Sequence, residues 1–470
     1  MLKKLFSHTA IYGLAPHISK IASIFILPII TKDLTATDFG VNGIVIAFIS
    51  AFAVLSTLGL RLILVNTFYK SPGQYKWAWR QLYGFLTIWN LIYGLVLAVV
   101  IYFVVPDAAR ENTYMIIFLS VFPVVFFGPT SHICSTYFQL KQKPLGVGVR
   151  VALSGLLTIF LNLYTISYLK MGYMGWFWSS FIAGVLSNLS YWIPLNRSIG
   201  ITPIFNFKRR FIRNSLRIAL PVIPHYYSSY LLNTSDRVLM KFFNVSIPDI
   251  GKYNVAYTFG NHLQTLSTAS GLAVGPLLNE RYRAGDDRGA RNIIFLLQAV
   301  FLCGTFILAL WMKEIFAFLI RNEELSQMYH LGVIIVMAYS YRPMYLGANS
   351  KLFYAEKTKI LWKVTFAAGI LSVLLNVLLI PLAGYAAAAY VTFVSLMFMG
   401  YAGFFLKVFK QINNARFYPL RWLSLTILLT ALAAFAIEAG WAWKVLITFI
   451  LSLFAFVLWR KYRKTFDRYG

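Results

Sequence analysis

Pro16-His17 opens the stretch PHISKIASIFILPIITKDLTATDFG, which closes on Asp38-Phe39-Gly40. A second apolar stretch, PHYYSSYLLNTSDRVLMKFFNVSIPDIG, opens on Pro224-His225 and closes on Asp249-Ile250-Gly251. Each stretch starts with the same dipeptide and ends with an Asp-x-Gly triplet. The two signals occur in the same order in both halves of the chain, which indicates that one half is a copy of the other.

A second pattern agrees with this duplication. Lys143 and Asn162 in the first half have the same spacing as Lys357 and Asn376 in the second. Both asparagines stand between apolar residues, and the offset between matching positions of the two halves is nearly constant. Two patterns with the same order and nearly the same offset predict an internal repeat.

The composition is that of a membrane protein. The 470 residues are 59% hydrophobic and only 12% charged, whereas soluble domains carry about 25% charged residues. The mean hydropathy is +0.68. Because roughly 20 apolar residues cross a bilayer as a helix, the sequence predicts an all-α polytopic membrane protein with about fourteen transmembrane helices. These are predicted at 5–31, 40–66, 82–105, 113–139, 147–169, 172–195, 214–243, 251–279, 290–312, 326–350, 359–382, 384–407, 419–438 and 441–459.

The repeat divides these helices into two halves of six, followed by two more. We predict an N-terminal half at 1–195, a basic cytoplasmic linker at 196–213 and a C-terminal half at 214–408. Residues 409–470 then hold the two additional helices and a basic cytoplasmic tail. Duplicated membrane units with the substrate site between them are the usual plan of alternating-access transporters, so this organisation favours a transporter.

The net charge of +28 reflects membrane topology. In a soluble protein such a charge would suggest nucleic-acid binding. With the N-terminus inside, however, more than half of the 43 Lys and Arg residues fall in the predicted cytoplasmic segments and few fall in the outer loops. This asymmetry predicts that both termini are cytoplasmic, and the remaining effect of the charge is attraction to anionic headgroups. We therefore expect membrane lipids, and no nucleic acid, as partners.

Several classes of enzyme and pump lack their signatures here. The linker at 196–213 is too short for a nucleotide-binding domain, and there is no GxxxxGK[ST] loop, no HExxH and no Cys/His ligand cluster. Cys134 and Cys303 are far apart, which predicts neither a disulfide nor a metal site. We therefore predict a secondary transporter or flippase that is not an enzyme and holds no metal. A membrane ligase or polymerase of lipid-linked sugars stays an alternative, although such enzymes usually need an acidic catalytic residue and a large loop.

Charged residues within the predicted helices mark candidate sites. One ionised group near the bilayer centre costs roughly 2.5–3.5 kcal/mol, so such groups should face a wet cavity, a counter-ion or a helix end. No acid is near Lys20 in its predicted helix, which favours a cavity position. Arg61 and Arg342 lie nearer the inner ends of their helices, where snorkelling to the headgroups is the alternative. The four candidates are Lys20, Arg61, Arg237 and Arg342.

Polar residues form a stripe on the predicted seventh helix. Helical spacing puts His225, Ser229, Asn233 and Asp236 or Arg237 on one side, while His17 and Lys20 share a face of the first helix. Because Asp236 and Arg237 are sequence neighbours, we expect that they do not face each other and that each meets a partner on another helix. An ion pair between the halves is the alternative. Tyr226 beside the stripe is a candidate sugar contact or a packing residue. His17, His225 and His262 are candidate proton-sensitive groups or hydrogen-bonded structural histidines.

The order of several short motifs resembles the polysaccharide repeat-unit flippases of the multidrug/oligosaccharidyl-lipid/polysaccharide exporter superfamily. Leu27-Pro28-Ile29-Ile30 leads into a Leu…Phe-Gly junction that ends at Gly40. Asp236-Arg237 is followed by the G-x-Y-x-x-A pattern at 251–256, and Pro276 falls late in the eighth helix. The resemblance covers essentially the whole chain, but Lys32 stands where the family usually has arginine before the junction.

This resemblance implies a fold of two six-helix repeats like that of the multidrug exporters (MATE). It implies a substrate, an undecaprenyl-pyrophosphate-linked oligosaccharide, carried to the outer leaflet of the bacterial inner membrane for O-antigen, capsule or exopolysaccharide synthesis. It also implies that a polysaccharide polymerase and a chain-length regulator are partners. No cofactor is expected, and coupling to a proton or Na⁺ through Asp236 or a histidine stays open.

For this cargo we expect alternating access between the halves. Lys20, Arg237, Arg61 and Arg342 would attract the pyrophosphate, and the polar and aromatic residues of the seventh helix would contact sugars. A drug/cation antiporter of the same superfamily is the alternative, but it would need acidic cavity residues, and the candidates here are mainly cationic. A lipid II flippase is a further alternative that the sequence leaves open.

Overall fold

The computed structural model describes residues 19–467, apart from the side chains of residues 225, 272–273, 358–359, 361, 458–459 and 461–467. Helices dominate this part of the chain and no strand occurs in it, so the all-α prediction is confirmed. Seven helical runs in it are long and apolar enough to cross a membrane. Two shorter apolar helices are Ser19–Ile30 and Trp441–Val457. The total of fourteen spans and the predicted division at 1–195 and 214–408 stay predictions.

The chain forms two compact units. The first comprises residues up to Tyr230 together with Ser246–Gly251. Its core is built around Trp79, whose indole N–H donates to the Leu64 carbonyl at 3.0 Å, and around Tyr93 and its apolar neighbours. Its helices are α1 (Ser19–Ile30), α2 (Ala36–Ala53), α3 (Arg61–Lys70), α4 (Tyr75–Val104), α5 (Thr113–Phe127), α6 (Thr130–Leu140), α7 (Pro144–Asn162), α8 (Met174–Ile193), α9 (Arg209–Ala219) and most of α10 (Ile223–Asn233).

The second unit comprises Leu231–Val245 and residues from Lys252 onward. Its last helices are held by a buried cation, since Lys444 donates to Glu314 Oε1 at 2.7 Å and to the Ile437 carbonyl at 2.6 Å. Its helices are α11 (Ser235–Phe242), most of α12 (Ile247–Arg283), α13 (Asp287–Leu310), α14 (Met312–Leu319), α15 (Glu323–Ser326), α16 (Tyr329–Ala338), α17 (Arg342–Tyr354), α18 (Thr358–Tyr401), α19 (Lys407–Ile412), α20 (Pro419–Ala436) and α21 (Trp441–Asp467).

Long helices are interrupted where residues take a left-handed backbone conformation. The predicted second span divides into α2 and α3 at Leu58 and Gly59, with φ of 49° and 69°. α18 continues through Gly384, whose φ is 64°. Glycine adopts this conformation without the steric cost of a side chain. The interruption of α18 lies where the sequence predicts one span to end at 382 and the next to begin at 384.

The internal repeat is visible in the local geometry of the two halves. α2 starts with a capping box, in which Thr35 and Asp38 exchange hydrogen bonds with each other's backbone N–H. Ser246 and Asp249 make the matching side-chain bonds at the start of α12, and both residues follow their counterparts at one shared offset. Gln142 and Glu356, at nearly the same offset, have left-handed φ values of 53° and 57°. Similar turns at similar offsets support the predicted duplication.

The two Asp-x-Gly triplets lie against each other within the first unit. A Cβ atom at Gly40 would overlap the carbonyl oxygen of Ile247, and one at Gly251 would overlap the carbonyl oxygen of Ala36. Because Ala36 matches Ile247 and Gly40 matches Gly251 at the same offset between the halves, the contact is reciprocal. Each copy supplies the glycine that lets the other copy's backbone approach. The triplets of the repeat are therefore a packing contact.

Gly40→Ala and Gly251→Ala should each destabilise the protein by about 1–3 kcal/mol, the usual cost of overpacking, since the obstructing atoms belong to backbone. Gly184→Ala is the matched control, because a Cβ at this helical position meets no atom within 4 Å. It should be neutral or stabilising by up to about 1 kcal/mol, since alanine favours helix over glycine. Thermal unfolding of the purified variants measures the difference. Equal melting temperatures for all three variants would contradict the reciprocal contact.

Candidate functional site

The predicted seventh span is not one helix. α9 ends at Ala219, a 3-10 turn covers Leu220–Val222, and α10 follows to Asn233. Pro221 lacks the N–H that a continuous α-helix needs, which explains the turn. A second break at Thr234, with φ −142° and ψ −21°, separates α10 from α11. The predicted polar stripe is therefore divided, with His225, Ser229 and Asn233 on α10 and Asp236-Arg237 at the start of α11.

Asp236 and Arg237 form an ion pair with each other. Nη1 of Arg237 lies 2.9 Å from Oδ1 of Asp236, and the same oxygen accepts the Arg237 backbone N–H at 2.8 Å. The expectation that these neighbours do not face each other is wrong. It assumed a mid-helix position, whereas both residues lie in the first turn of α11, where a carboxylate can accept from free backbone N–H groups. The pair lies within the second unit, so an ion pair of Asp236 between the halves is also wrong.

Partners on the neighbouring helix complete the coordination of the guanidinium. Nε of Arg237 donates to Asn254 Oδ1 on α12 at 3.1 Å, and Nη1 also donates to the Asn233 carbonyl at 3.0 Å. The guanidinium carbon lies 4.2 Å from the ring centroid of Tyr257. Arg237 thus does meet partners on another helix, as the sequence predicts.

A tyrosine layer covers this pair. The Tyr253 hydroxyl donates to Oδ2 of Asp236, and the Tyr257 hydroxyl lies 3.5 Å from Asn233 Oδ1. The Tyr339 hydroxyl of the 3-10 turn before α17 donates to that of Tyr257 at 3.4 Å. These three rings are essentially inaccessible. Sequence analysis missed them, although the spacing of four between Tyr253 and Tyr257 puts both on one face of α12.

The buried Asp236–Arg237 network is part of the fold, and each of its charges is already paired. Asp236 is 4% and Arg237 5% exposed, and each charge has a partner of opposite sign. Removing one member of such a buried ion pair strongly destabilises the protein, because the other charge is left uncompensated. The structure therefore gives no support to Arg237 as a pyrophosphate ligand.

The other predicted cations are more accessible. Lys20 is exposed on α1. Arg61 is exposed at the first position of α3, and its Nη2 donates to Gln139 Oε1 at 2.7 Å. Arg342 is half-buried at the start of α17 with its guanidinium carbon 5.2 Å from the Tyr345 ring centroid. Its Nε makes no hydrogen bond to the described residues.

The remaining predicted residues are distributed over both units. Tyr226 is exposed and Ser229 lies on the same helix, α10, while Asn233 is half-buried and accepts from Gln264 at 3.2 Å. His262 is half-buried on α12. His17 lies outside the described residues, and so does the side chain of His225.

A cavity of about 860 Å³ lies between α12 and α17 within the second unit. Neither Glu280 nor Arg283 has an ion-pair partner among the residues that the structure describes. Phe353 and Tyr354 offer exposed aromatic rings beside these charges. Such a wall of amides, one acid, one base and aromatic faces can bind hydroxyl groups and apolar ring faces together. α12 contributes Gly275, Asn279, Glu280 and Arg283, and α17 contributes Leu346, Asn349, Ser350, Phe353 and Tyr354.

The sequence holds only a partial signal for this cavity. Gly275, Asn279 and Arg283 follow each other at steps of four, as residues on one helical face do. The pairing of this face with α17, far along the chain, is tertiary information. Among the described residues there is no group of His, Cys, Asp and Glu that could hold a metal ion.

Two charged contacts lie outside the spans. Burial alone would raise the pKa of Asp33 in the loop before α2, but hydrogen bonds and charge from Lys170, and a bond from Ser167, outweigh it and lower this pKa. In the turn after α20, the Glu438 carboxylate has a lowered pKa because Lys313 and Tyr329 donate hydrogen bonds to it. Each contact ties a loop to its own unit.

Comparison with known proteins identifies the family. Residues 5–280 match the family model described as polysaccharide biosynthesis protein. The chain belongs to this polysaccharide biosynthesis family. No curated protein sequence matches the chain significantly.

Solved structures share the fold. The lipid II flippase MurJ, in an inward closed conformation, aligns over 97% of this chain and 99% of its own, with a TM-score of 0.71 and 11% identity. An inward-facing multidrug resistance MATE transporter aligns over 90% and 96%, with a TM-score of 0.56 and 13% identity. The eukaryotic MATE transporter AtDTX14 aligns over 93% and 99%, with a TM-score of 0.54 and 14% identity. The family model therefore gives the family of the chain, and the solved structures show its fold.

A double-mutant cycle tests the Asp236–Arg237 pair. Asp236→Ala and Arg237→Ala should each lower the free energy of unfolding by about 3–5 kcal/mol, because each leaves an uncompensated buried charge. The double variant should lose less than the sum of the single losses, since neither charge is then stranded. Protein level in membranes and thermal unfolding in detergent measure both. Stable single variants that lack only transport would instead favour a ligand-binding role for Arg237.

Proposed function

We propose that the protein is a flippase that moves an undecaprenyl-pyrophosphate-linked oligosaccharide repeat unit from the cytoplasmic to the outer leaflet of a bacterial inner membrane. One observation carries the proposal: a member of the polysaccharide biosynthesis family has the MurJ-like fold over nearly its whole length. The translocated repeat units would be used to build an O-antigen, a capsule or an exopolysaccharide. Both termini are proposed to be cytoplasmic, as the distribution of Lys and Arg indicates.

The pyrophosphate of this cargo would be attracted by accessible cations. Lys20 and Arg61 are exposed in the first unit, and the Arg342 side chain is half-buried in the second. Arginine and lysine both bind phosphate oxygens through charge-assisted hydrogen bonds. An inside-negative membrane potential adds about 2.3 kcal/mol per 100 mV for each negative charge that moves outward. Transport coupled to a proton or Na⁺ is a further option. His262 is then the candidate coupling residue, because Asp236 is buried and paired with Arg237.

The sugars of the cargo would contact the cavity between α12 and α17. Its wall carries one acid and one base, Glu280 and Arg283, so it offers little net attraction for a pyrophosphate. Its amides and aromatic rings suit a hydrated glycan, because hydroxyl groups need paired donors and acceptors. The cavity volume lies within the usual range of ligand pockets.

Transport of lipid II is a second candidate function, since the MurJ fold matches with a TM-score of 0.71. Lipid II also presents a polyprenyl pyrophosphate and sugars, so the same cations would serve it.

Complementation in cells distinguishes the two candidate functions. The chain should restore surface polysaccharide in a strain that lacks its repeat-unit flippase, and it should fail to restore growth when the cell's lipid II flippase is depleted. The reverse result would select the second candidate.

Removal of the accessible cations tests the proposed site. Lys20→Ala and Arg342→Ala should each reduce surface polysaccharide at least about tenfold, which corresponds to about 1.4 kcal/mol of lost interaction. Lipid-linked repeat units should accumulate in the inner leaflet while protein level stays unchanged. Lys363→Ala, which removes an exposed cation from α18, is the control and should transport normally. Normal polysaccharide in both test variants would reject these cations as the site.

Removal of polar groups from the cavity tests the sugar contact separately. The double variant Glu280→Gln/Asn349→Ala should reduce transport of the native repeat unit, because it removes the charge of one hydroxyl-binding group and the whole amide of the other. Glu356→Gln is the matched control, since it neutralises an exposed acid at the turn where the first repeat already has Gln142. A cavity without a role in transport would give the same polysaccharide level in the double variant and the control.

A further inference from the structure

Helix α9 has one strongly basic face. Its buried residues are Ile212, Ser215 and Ala219, and of these Ile212 and Ala219 pack in the core of the first unit around Trp79. At about 100° per residue, its four arginines fall within an arc of about 100° on the opposite, exposed side. They are Arg209, Arg210, Arg213 and Arg217.

The segment before α9 is fastened to α4. The Lys208 backbone N–H donates to Gln81 Oε1 at 2.7 Å, and Arg80 Nε donates to the Thr202 carbonyl at 3.1 Å. A Cβ at Gly84 would overlap the Ile204 carbonyl oxygen, so the segment lies directly on the helix backbone. The predicted linker is therefore an ordered strap that ends in a helix, and the arginine face is held in a fixed position.

No acidic side chain that the structure describes neutralises this face. None of the four guanidinium groups of α9 has an ion-pair partner among these described side chains. Exposed apolar side chains flank it, namely Phe205, Ile218 and Trp77, with Lys208 Nζ 5.3 Å from the Trp77 ring centroid. Arginines beside exposed aromatic and aliphatic groups are typical of helices at the boundary between headgroups and acyl chains.

We propose that the arginine face of α9 binds anionic phospholipid headgroups of the cytoplasmic leaflet. Charge complementarity selects this partner, since four fixed positive charges meet a leaflet of negative surface potential. A neutral or zwitterionic headgroup offers no such gain, and the flanking apolar groups would not suit a soluble polyanion. The proposal needs the whole of α9 (Arg209–Ala219) to lie on the cytoplasmic side, where the sequence places residues 196–213, but it does not depend on which cargo the protein carries.

Native mass spectrometry of the full-length protein, titrated with dioleoyl phosphatidylglycerol or dioleoyl phosphatidylcholine, tests this surface. The variant R209Q/R210Q/R213Q/R217Q should bind phosphatidylglycerol at least about tenfold more weakly than the native protein and phosphatidylcholine equally well. R209K/R210K/R213K/R217K keeps the charge and should retain phosphatidylglycerol binding. This second variant distinguishes lost charge from a disturbed helix. The matched control is K407Q/K410Q/R416Q/R421Q, which removes four exposed cations from the α19–α20 region and should bind like the native protein.

Three results would overturn the proposal. One is unchanged phosphatidylglycerol binding in the glutamine variant of α9, and another is an equal loss in the α19–α20 control. The third is displacement of phosphatidylglycerol by undecaprenyl pyrophosphate from the native protein but not from the glutamine variant, which would assign the face to the cargo. Loss of phosphatidylglycerol binding together with normal transport would support the lipid surface and leave the proposed flippase function intact.

Discussion

The buried ion pair between Asp236 and Arg237 decides which of the cations singled out by the sequence can meet a ligand. A guanidinium that is satisfied by a carboxylate, an amide and a carbonyl has little left to attract a ligand, and its low exposure excludes water as well. The pair also fixes the start of α11 against α12, so the tyrosines of α12 pack over it. The carboxylate of Asp236 and the guanidinium of Arg237 are therefore part of the fold. Of the four cations that the sequence singles out, Lys20, Arg61 and Arg342 are the more accessible candidates for the proposed anionic cargo.

The duplication explains why the fold has matching turns but an unequal distribution of polar groups. Side-chain caps at Thr35 and Ser246 recur because a helix start needs acceptors for its free N–H groups in either half. Gly40 and Gly251 recur because each admits the other's backbone. No such constraint fixes the residues between these signals, and there the copies differ: Lys20 in the first copy, Asn233 and Asp236-Arg237 in the second. Shared residues thus serve the scaffold, whereas the divergent ones are free for pairing or binding.

The sequence was sufficient for the features that depend on local chemistry. Apolar runs predicted the helical class, Asp-x-Gly triplets predicted the repeat, and a break was expected where Gly384 takes a left-handed φ. The sequence did not predict the features that depend on tertiary contacts. An unbroken helix through Thr234 was assumed, so neighbours that pair were predicted to point apart. The cavity of Glu280 and Asn349 depends on α12 meeting α17, which no spacing within either helix encodes. α9 was missed because its first residues were read as linker and its last as membrane span.

A protein that carries a polyprenyl pyrophosphate through an anionic membrane must keep its binding cations from being occupied by phospholipid phosphates. A phospholipid such as phosphatidylglycerol carries one negative charge and is abundant, whereas the pyrophosphate carries more charge and is scarce. A fixed row of exposed arginines on α9 would favour the abundant headgroups, whereas single, separated cations such as Lys20 and Arg342 offer them little. Two classes of cation, a row on α9 and single residues elsewhere, would let phospholipids orient the protein without occupying the cations that bind the cargo. Under the two proposals, the positive charge of this chain would have three separable tasks: setting topology, pairing with Asp236 in the fold at Arg237, and binding phosphate groups on two kinds of surface.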